Sequence, residues 1–244
     1  MNMDEYLESI KYAVEQIIKL IHKDQDKLAK LLAPIEDKHK EAESKFGEAS
    51  VVSTEDERQE MLAESIRAMR QMDRLIERNG GKIENLTVEI AARANSYNIL
   101  SGTLLHFAKQ AISMVHEKPY EISEDPNQHK SGNRVLFDGA SFTWDNPFRG
   151  STEELRVLDL IVAGRNQYEH YETGLYNNPR SRTSQHNINV FKALSNAHPS
   201  LYECITTEDI NDGKPPVNYA GKVVTELLNW NSFDKFKNDL MSIN

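Results

Sequence analysis

The residues that could do chemistry in this 244-residue sequence stand together at Arg165-Asn166-Gln167-Tyr168-Glu169-His170, where a permanent cation, an amide and an imidazole fall within two helical turns. Histidine is the side chain whose ordinary pKa suits proton transfer near neutral pH, and arginine's planar fork fits the oxygens of a phosphate. Together they offer what phosphodiester cleavage requires: a group that takes or gives a proton, and fixed positive charge for the phosphorane. On an α-helix Asn166 and His170 are four apart and share a face, so the amide is expected to orient the imidazole. Arg165 lies five residues from His170 and is turned well away around the helix, but its long side chain can swing toward the same groove. The same residues also allow a bland reading. Arg165 and Glu169 at i,i+4 can form a surface ion pair worth roughly 0.3–0.5 kcal/mol, with His170 a solvated residue near a helix end.

With 12 arginines and 8 histidines in the chain, Arg–His spacing alone carries little weight. A second pair, Arg180 and His186, shows this, because Arg180 is followed by Ser181 in a polar stretch that Pro179 precedes. The first pair differs in having Asn166 after the arginine and an apolar helix beneath it. Ser151-Thr152-Glu153-Glu154 is expected to open that helix, Ser151 and Glu154 each satisfying the other's backbone donor in a capping box. Leu155, Leu158, Ile161 and Val162 give it a buried face, and it is expected to stop near Gly174. Tyr176–Asn187 reads as a loop.

In this pattern of Arg, a polar Asn and His after four intervening residues, RNQYEH resembles the motif of the HEPN superfamily of ribonucleases. The resemblance covers about residues 85–244. It implies an all-α helical bundle, metal-independent cleavage of RNA through its 2′-OH to a 2′,3′-cyclic phosphate, and exclusion of DNA as substrate. Arg165, Asn166 and His170 would be catalytic, with no metal and no cofactor. Two copies would face one cleft as a homodimer, in a toxin or defence effector held by a cognate antitoxin or regulator. Tyr168 and Tyr171 would be candidates for stacking a base, and Arg180, Arg182 and His186 for contacting phosphates. From a different class comes the alternative of a non-catalytic helical interaction module, and between the two lies a HEPN domain that binds RNA without cleaving it.

The elements that must position these residues are mostly helical. Residues 4–35 carry apolar Ile10, Val14, Ile17, Ile21, Leu28, Leu31 and Ile35 at spacings of 4 and 3, broken at Asp24, and Pro34 is expected to kink or end that helix. The segment 47–54 reads as a turn. A second helix with Leu62, Ile66, Met69 and Ile76 on one face is expected to end at Gly80-Gly81, completing a long N-terminal hairpin over residues 1–82 used for packing or dimerisation. Residues 83–244 are expected to form the HEPN-like domain, beginning with a helix over 85–118 on which Leu86, Ile90, Tyr97, Leu100, Leu104, Phe107, Ala111 and Met114 recur at helical spacing. His106 and His116 on that helix are read as structural. An insertion over about 119–150 holds a polar loop and one small β-hairpin around Asp138-Gly139. Shorter helices are expected at about 186–197, 199–210, 219–230 and 232–242, with a turn at Pro215-Pro216.

Composition narrows the classes. Apolar residues make up 39% and charged residues 27%, no apolar run is long enough to span a bilayer, and the acidic start MNMDEYLESIKYA is not a secretory signal, so the cytoplasm is the expected compartment. A single cysteine, Cys204, cannot form an internal disulfide. The formal net charge of −9 argues against a broad nucleic-acid-binding surface, yet residues 129–198 hold eight Lys+Arg against seven Asp+Glu, unlike the rest of the chain. There is no phosphate-binding glycine loop, and no Cys/His pair has zinc-ligand spacing.

Overall fold

A computed structural model describes residues 2–51, 59, 63, 66, 67, 70, 80–115, 136, 137, 140, 141, 143–147, 150–178, 180–199 and 201–243. The fold is all-α in class: α1 (Met3–Val51), α2 (Gly80–Val115), α3 (Val157–His170), α4 (Arg182–Ala197), α5 (Thr207–Asn211), α6 (Ala220–Lys222) and α7 (Phe233–Met241), with a π-helical turn Val223–Leu227 after α6. Two antiparallel ladders stand before α3. Strands β1 (Leu136–Phe137) and β2 (Ala140–Ser141) pair Phe137 with Ala140, and β3 (Thr143–Asn146) pairs with β4 (Ser151–Glu154). The residues between β1 and β2, the loop over 119–133, His116, and Leu62, Met69 and Ile76 lie outside the described residues.

Several expectations change. Pro34 does not end α1, and the helix runs on into the segment expected to turn, as far as Val51, with 52–54 outside the described residues. A proline removes one donor and crowds one carbonyl, and a long helix can absorb that defect without stopping. Gly80 and Gly81 open α2, and the residues before them, 71–79, lie outside the described residues. Ser151–Glu154 is a strand, not a helix start, since it pairs antiparallel with Thr143–Asn146, Thr152 opposite Asp145 and Glu153 opposite Trp144. The helix begins at Val157, with Arg156 as its N-cap, whose backbone N–H donates to Asp159.

Two compact units divide the chain, at boundaries other than residue 82: one holds residues 1–22 and 97–244, the other 23–96. The start of α1 belongs to the first because its apolar face, Met3, Tyr6, Leu7, Val14, Ile18 and Ile21, is buried in that unit's core. α2 adds Leu104, Leu105, Ala108, Ala111 and Ile112, whereas Met114, expected on the apolar face, is exposed. Each such Leu or Ile contributes about 1.5–3 kcal/mol through burial. Lys237 of α7 fastens the start of α1 by pairing with Asp4 at 2.7 Å and Glu8 at 2.6 Å. In the second unit Asp24, which interrupts the apolar spacing of α1, is buried and held by Arg93 and Ser96, each at 2.7 Å.

Tight packing ties α2 to the C-terminal elements of the first unit. A methyl at Gly102 would lie 2.3 Å from the Tyr168 ring, and one at Gly221 would lie 1.9 Å from Tyr97. Asn98 accepts from the Gly221 N–H at 3.0 Å. The segment expected as a helix over 199–210 is irregular up to Thr206, because Leu175 pairs with it instead, donating to Ile205 and accepting from Thr207. Among the described residues no helix is long and apolar enough to cross a membrane.

Candidate functional site

α3 is anchored at its start by a buried charge cluster. The Asp159 carboxylate accepts from the Arg156 guanidinium at 3.1 and 3.3 Å, and one of its oxygens lies 3.3 Å from His186 Nε2 on α4. Burial pushes the Asp159 carboxyl up, but the hydrogen bond to His186 and the Arg156 charge outweigh it and hold the group below its ordinary range. The other nitrogen of His186 lies 3.4 Å from Asn187 Oδ1, which also accepts from Asn166 Nδ2 at 3.1 Å. Asn166 in turn accepts from Arg165 Nη1 at 3.0 Å. A continuous polar chain thus runs from Arg156 through α4 to Arg165.

This arrangement differs from the expected one at several residues. Asn166 is buried and bonded to Arg165 and Asn187, so its amide does not orient His170. His186 is 4% exposed within α4, which begins at Arg182 with Ser181 as its N-cap; it is an interior residue, not a loop residue facing a ligand. Tyr168 packs over Gly102, so its ring serves the α2–α3 contact rather than an open face. Gln167 spans the 217–219 segment, donating to the Val217 carbonyl at 2.5 Å and accepting from the Tyr219 N–H at 3.1 Å.

The two ends of the motif border different hollows. His170 is exposed on the last turn of α3 and edges a nook of only about 10 Å³ with Gln167, Tyr171, Leu175 and Phe191. Arg165 borders an open concavity of about 350 Å³ with Tyr6, His106, Lys109, Gln110 and Ser113. Its Nη2 is ion-paired to Glu169, and Glu169 also lies 3.9 Å from His106 Nδ1. Arg180 and Arg182 are at the start of α4 and border neither hollow.

No family model, no curated protein and no solved structure matches this chain.

Reading the motif alone misses His106, Lys109, Gln110 and Ser113. These follow the spacing i, i+3, i+4, i+7 on α2, a polar stripe beside the apolar one, and that spacing was the available signal. Burial lowers the Lys109 amine, and the nearby Arg165 charge pushes it the same way, against the pull of Glu169. Cys204 is a packing residue: burial pushes its thiol up to about 11, and its Sγ lies 3.7 Å from the Ile188 carbonyl. Among the described residues no group of three His, Cys, Asp or Glu side chains is placed to hold a metal ion.

Proposed function

We propose that the chain is a metal-independent endoribonuclease of HEPN type that acts as a homodimer. The observation that supports this reading is the division of labour along one helix. Asn166 and Gln167 are buried and committed to α4 and the 217–219 segment, fixing the motif turn in place. On either side of them α3 leaves a guanidinium at an open concavity and an exposed imidazole. Such a pair can divide the chemistry. Arg165 binds the phosphate oxygens, where negative charge grows in the transition state, and His170 moves a proton. The RNA 2′-oxygen gives up its proton and bonds to phosphorus, and the P–O5′ bond breaks. The 5′-oxygen takes a proton, leaving a 2′,3′-cyclic phosphate and a 5′-hydroxyl. Because Arg165 and His170 of one chain border different hollows, a second copy bringing its own α3 opposite would complete the cleft. Use as a toxin or defence effector under a cognate regulator is part of this proposal.

A second reading, the non-catalytic helical interaction module, draws support from the Arg165–Glu169 pair, which already engages the guanidinium. Labelled RNA incubated in EDTA with wild-type protein, Arg165→Ala and His170→Ala separates the two. The ribonuclease reading expects a loss of roughly 100-fold or more in each variant, a cyclic-phosphate product, and no cleavage of 2′-deoxy substrate. Cleavage that persists at the wild-type rate in both variants, or failure of the wild-type dimer to cut any of a panel of structured and unstructured RNAs, would sink it.

A further inference from the structure

We propose that His106 and Lys109 of α2 form, with Arg165 of α3, a site for one backbone phosphate of RNA, and that the Glu169 carboxylate is an internal anion that the phosphate displaces. The inference rests on the ribonuclease reading only for the identity of RNA as the ligand. Its physical basis is the concavity beside Arg165. At about 350 Å³ it has room for a phosphate with part of its sugar, since a water molecule takes up about 30 Å³ in the liquid. The donors around it suit an oxyanion: the Lys109 ammonium, the Arg165 guanidinium, a His106 ring nitrogen, the Ser113 hydroxyl and the Gln110 amide, whose oxygen already accepts from Tyr6 at 2.8 Å.

Charge and geometry agree. In a chain of net charge −9, this hollow brings Lys109 close enough to Arg165 for the two cations to disfavour each other's charge. A bound anion would remove that repulsion. The edge of a guanidinium formed by Nε and Nη2 grips an oxyanion with two parallel bonds. Here Glu169 takes Nη2, while Nε is buried with no hydrogen-bond partner among the described residues. The carboxylate therefore half-fills a fork that a tetrahedral phosphate would fill. Glu169 also reaches toward His106 at 3.9 Å, so it stands between the guanidinium and a second donor of the hollow. A backbone phosphate carries the same single charge as the carboxylate, but entering from the concavity it can meet the Lys109 ammonium as well as the guanidinium edge.

The test uses the full chain and a fluorescent RNA oligonucleotide whose 2′-hydroxyls are methylated, so that binding is read without cleavage. Lys109→Gln is expected to weaken binding about tenfold and to make the slope of log K against log salt shallower by roughly 0.7, the value for one phosphate contact on a single strand. Lys109→Arg is expected to restore both, which controls for folding. Glu169→Gln is expected to tighten binding several-fold, because the competing anion is gone. Inorganic phosphate at the same phosphate concentration is expected to compete at least tenfold less well, and equal competition would overturn RNA as the ligand. Binding by Lys109→Gln and Glu169→Gln within twofold of wild type would overturn the site, even if cleavable RNA is still cut. Conversely, Lys109-dependent binding in a protein that cuts no RNA would keep the site and remove the ribonuclease reading.

Discussion

Asp159 stands where a carboxylate would ordinarily be unwelcome, 2% exposed at the first turn of α3, and it is tolerated because Arg156 and His186 both reach it. Removing its charge leaves a guanidinium in a dry site without its counter-ion, so Asp159→Asn is expected to cost roughly 3 kcal/mol in a denaturant titration at pH 7. The sign of its pH dependence follows from a folded pKa below the unfolded one. The stabilisation it contributes is present above the ordinary carboxylate pKa of about 4 and lost as pH falls through the lower folded value. Wild-type stability should therefore fall away below about pH 4, where the Asp159→Asn variant loses less; parallel curves for the two would refute the assignment. None of this was legible in the sequence. Asp159 reads as an unremarkable first-turn acid, and its partner His186 comes 27 residues later in a stretch that looks like loop. Asn166 was recognisable as polar in an apolar helix, but its spacing from His170 suggested the wrong partner, because an amide on a buried face bonds to what packs on it. Asn187 does so from α4.

At the scale of elements, α3 has to stop where His170 becomes exposed, and Gly174 manages the exit. Its φ is +74°, and a Cβ there would lie 2.3 Å from the Thr206 carbonyl oxygen. Backbone cannot move aside as a side chain can, so two costs combine at this position. Gly174→Ala is expected to destabilise by more than about 2 kcal/mol, against about 1 kcal/mol for Gly213→Ala, whose φ is +92° with open space around it. Comparable melting temperatures for the two would show that the Leu175–Thr206 contact yields easily. The exit glycine and the apolar face of α3 could be read from residue type and 3.6-residue spacing, as could the existence of α1 and α2. The start of α3 could not. Ser-Thr-Glu-Glu satisfies the capping-box pattern as well as a strand does, and only the facing residues Thr143–Asn146 decide between them. Likewise Ser181 could have been taken for an N-cap, but Pro179 and the basic residues beside it masked a helix that begins at Arg182.

Assembly is the scale at which the motif acquires or loses its chemistry. Within one chain Arg165 looks toward α2 and His170 toward the Leu175–Phe191 side, with Asn166 and Gln167 locked between them. Arg165 and His170 border different hollows, so a working cleft of the proposed kind would take its arginine from one copy and its histidine from the other. That arrangement makes a prediction that no single-chain site shares. Arg165→Ala and His170→Ala are each expected to be inactive alone. Mixed under conditions that exchange protomers, they form heterodimers in which one of the two clefts keeps both an arginine and a histidine. Cleavage should then return to roughly a quarter of the wild-type rate, since about half of the dimers are mixed and each carries one intact cleft of two. Specific activity should also fall on dilution below the dimer dissociation constant. If the mixture stays silent while wild-type protein subjected to the same exchange remains active, the two residues must serve the same cleft from one chain, and α3 would have to rearrange at Asn166 to allow it.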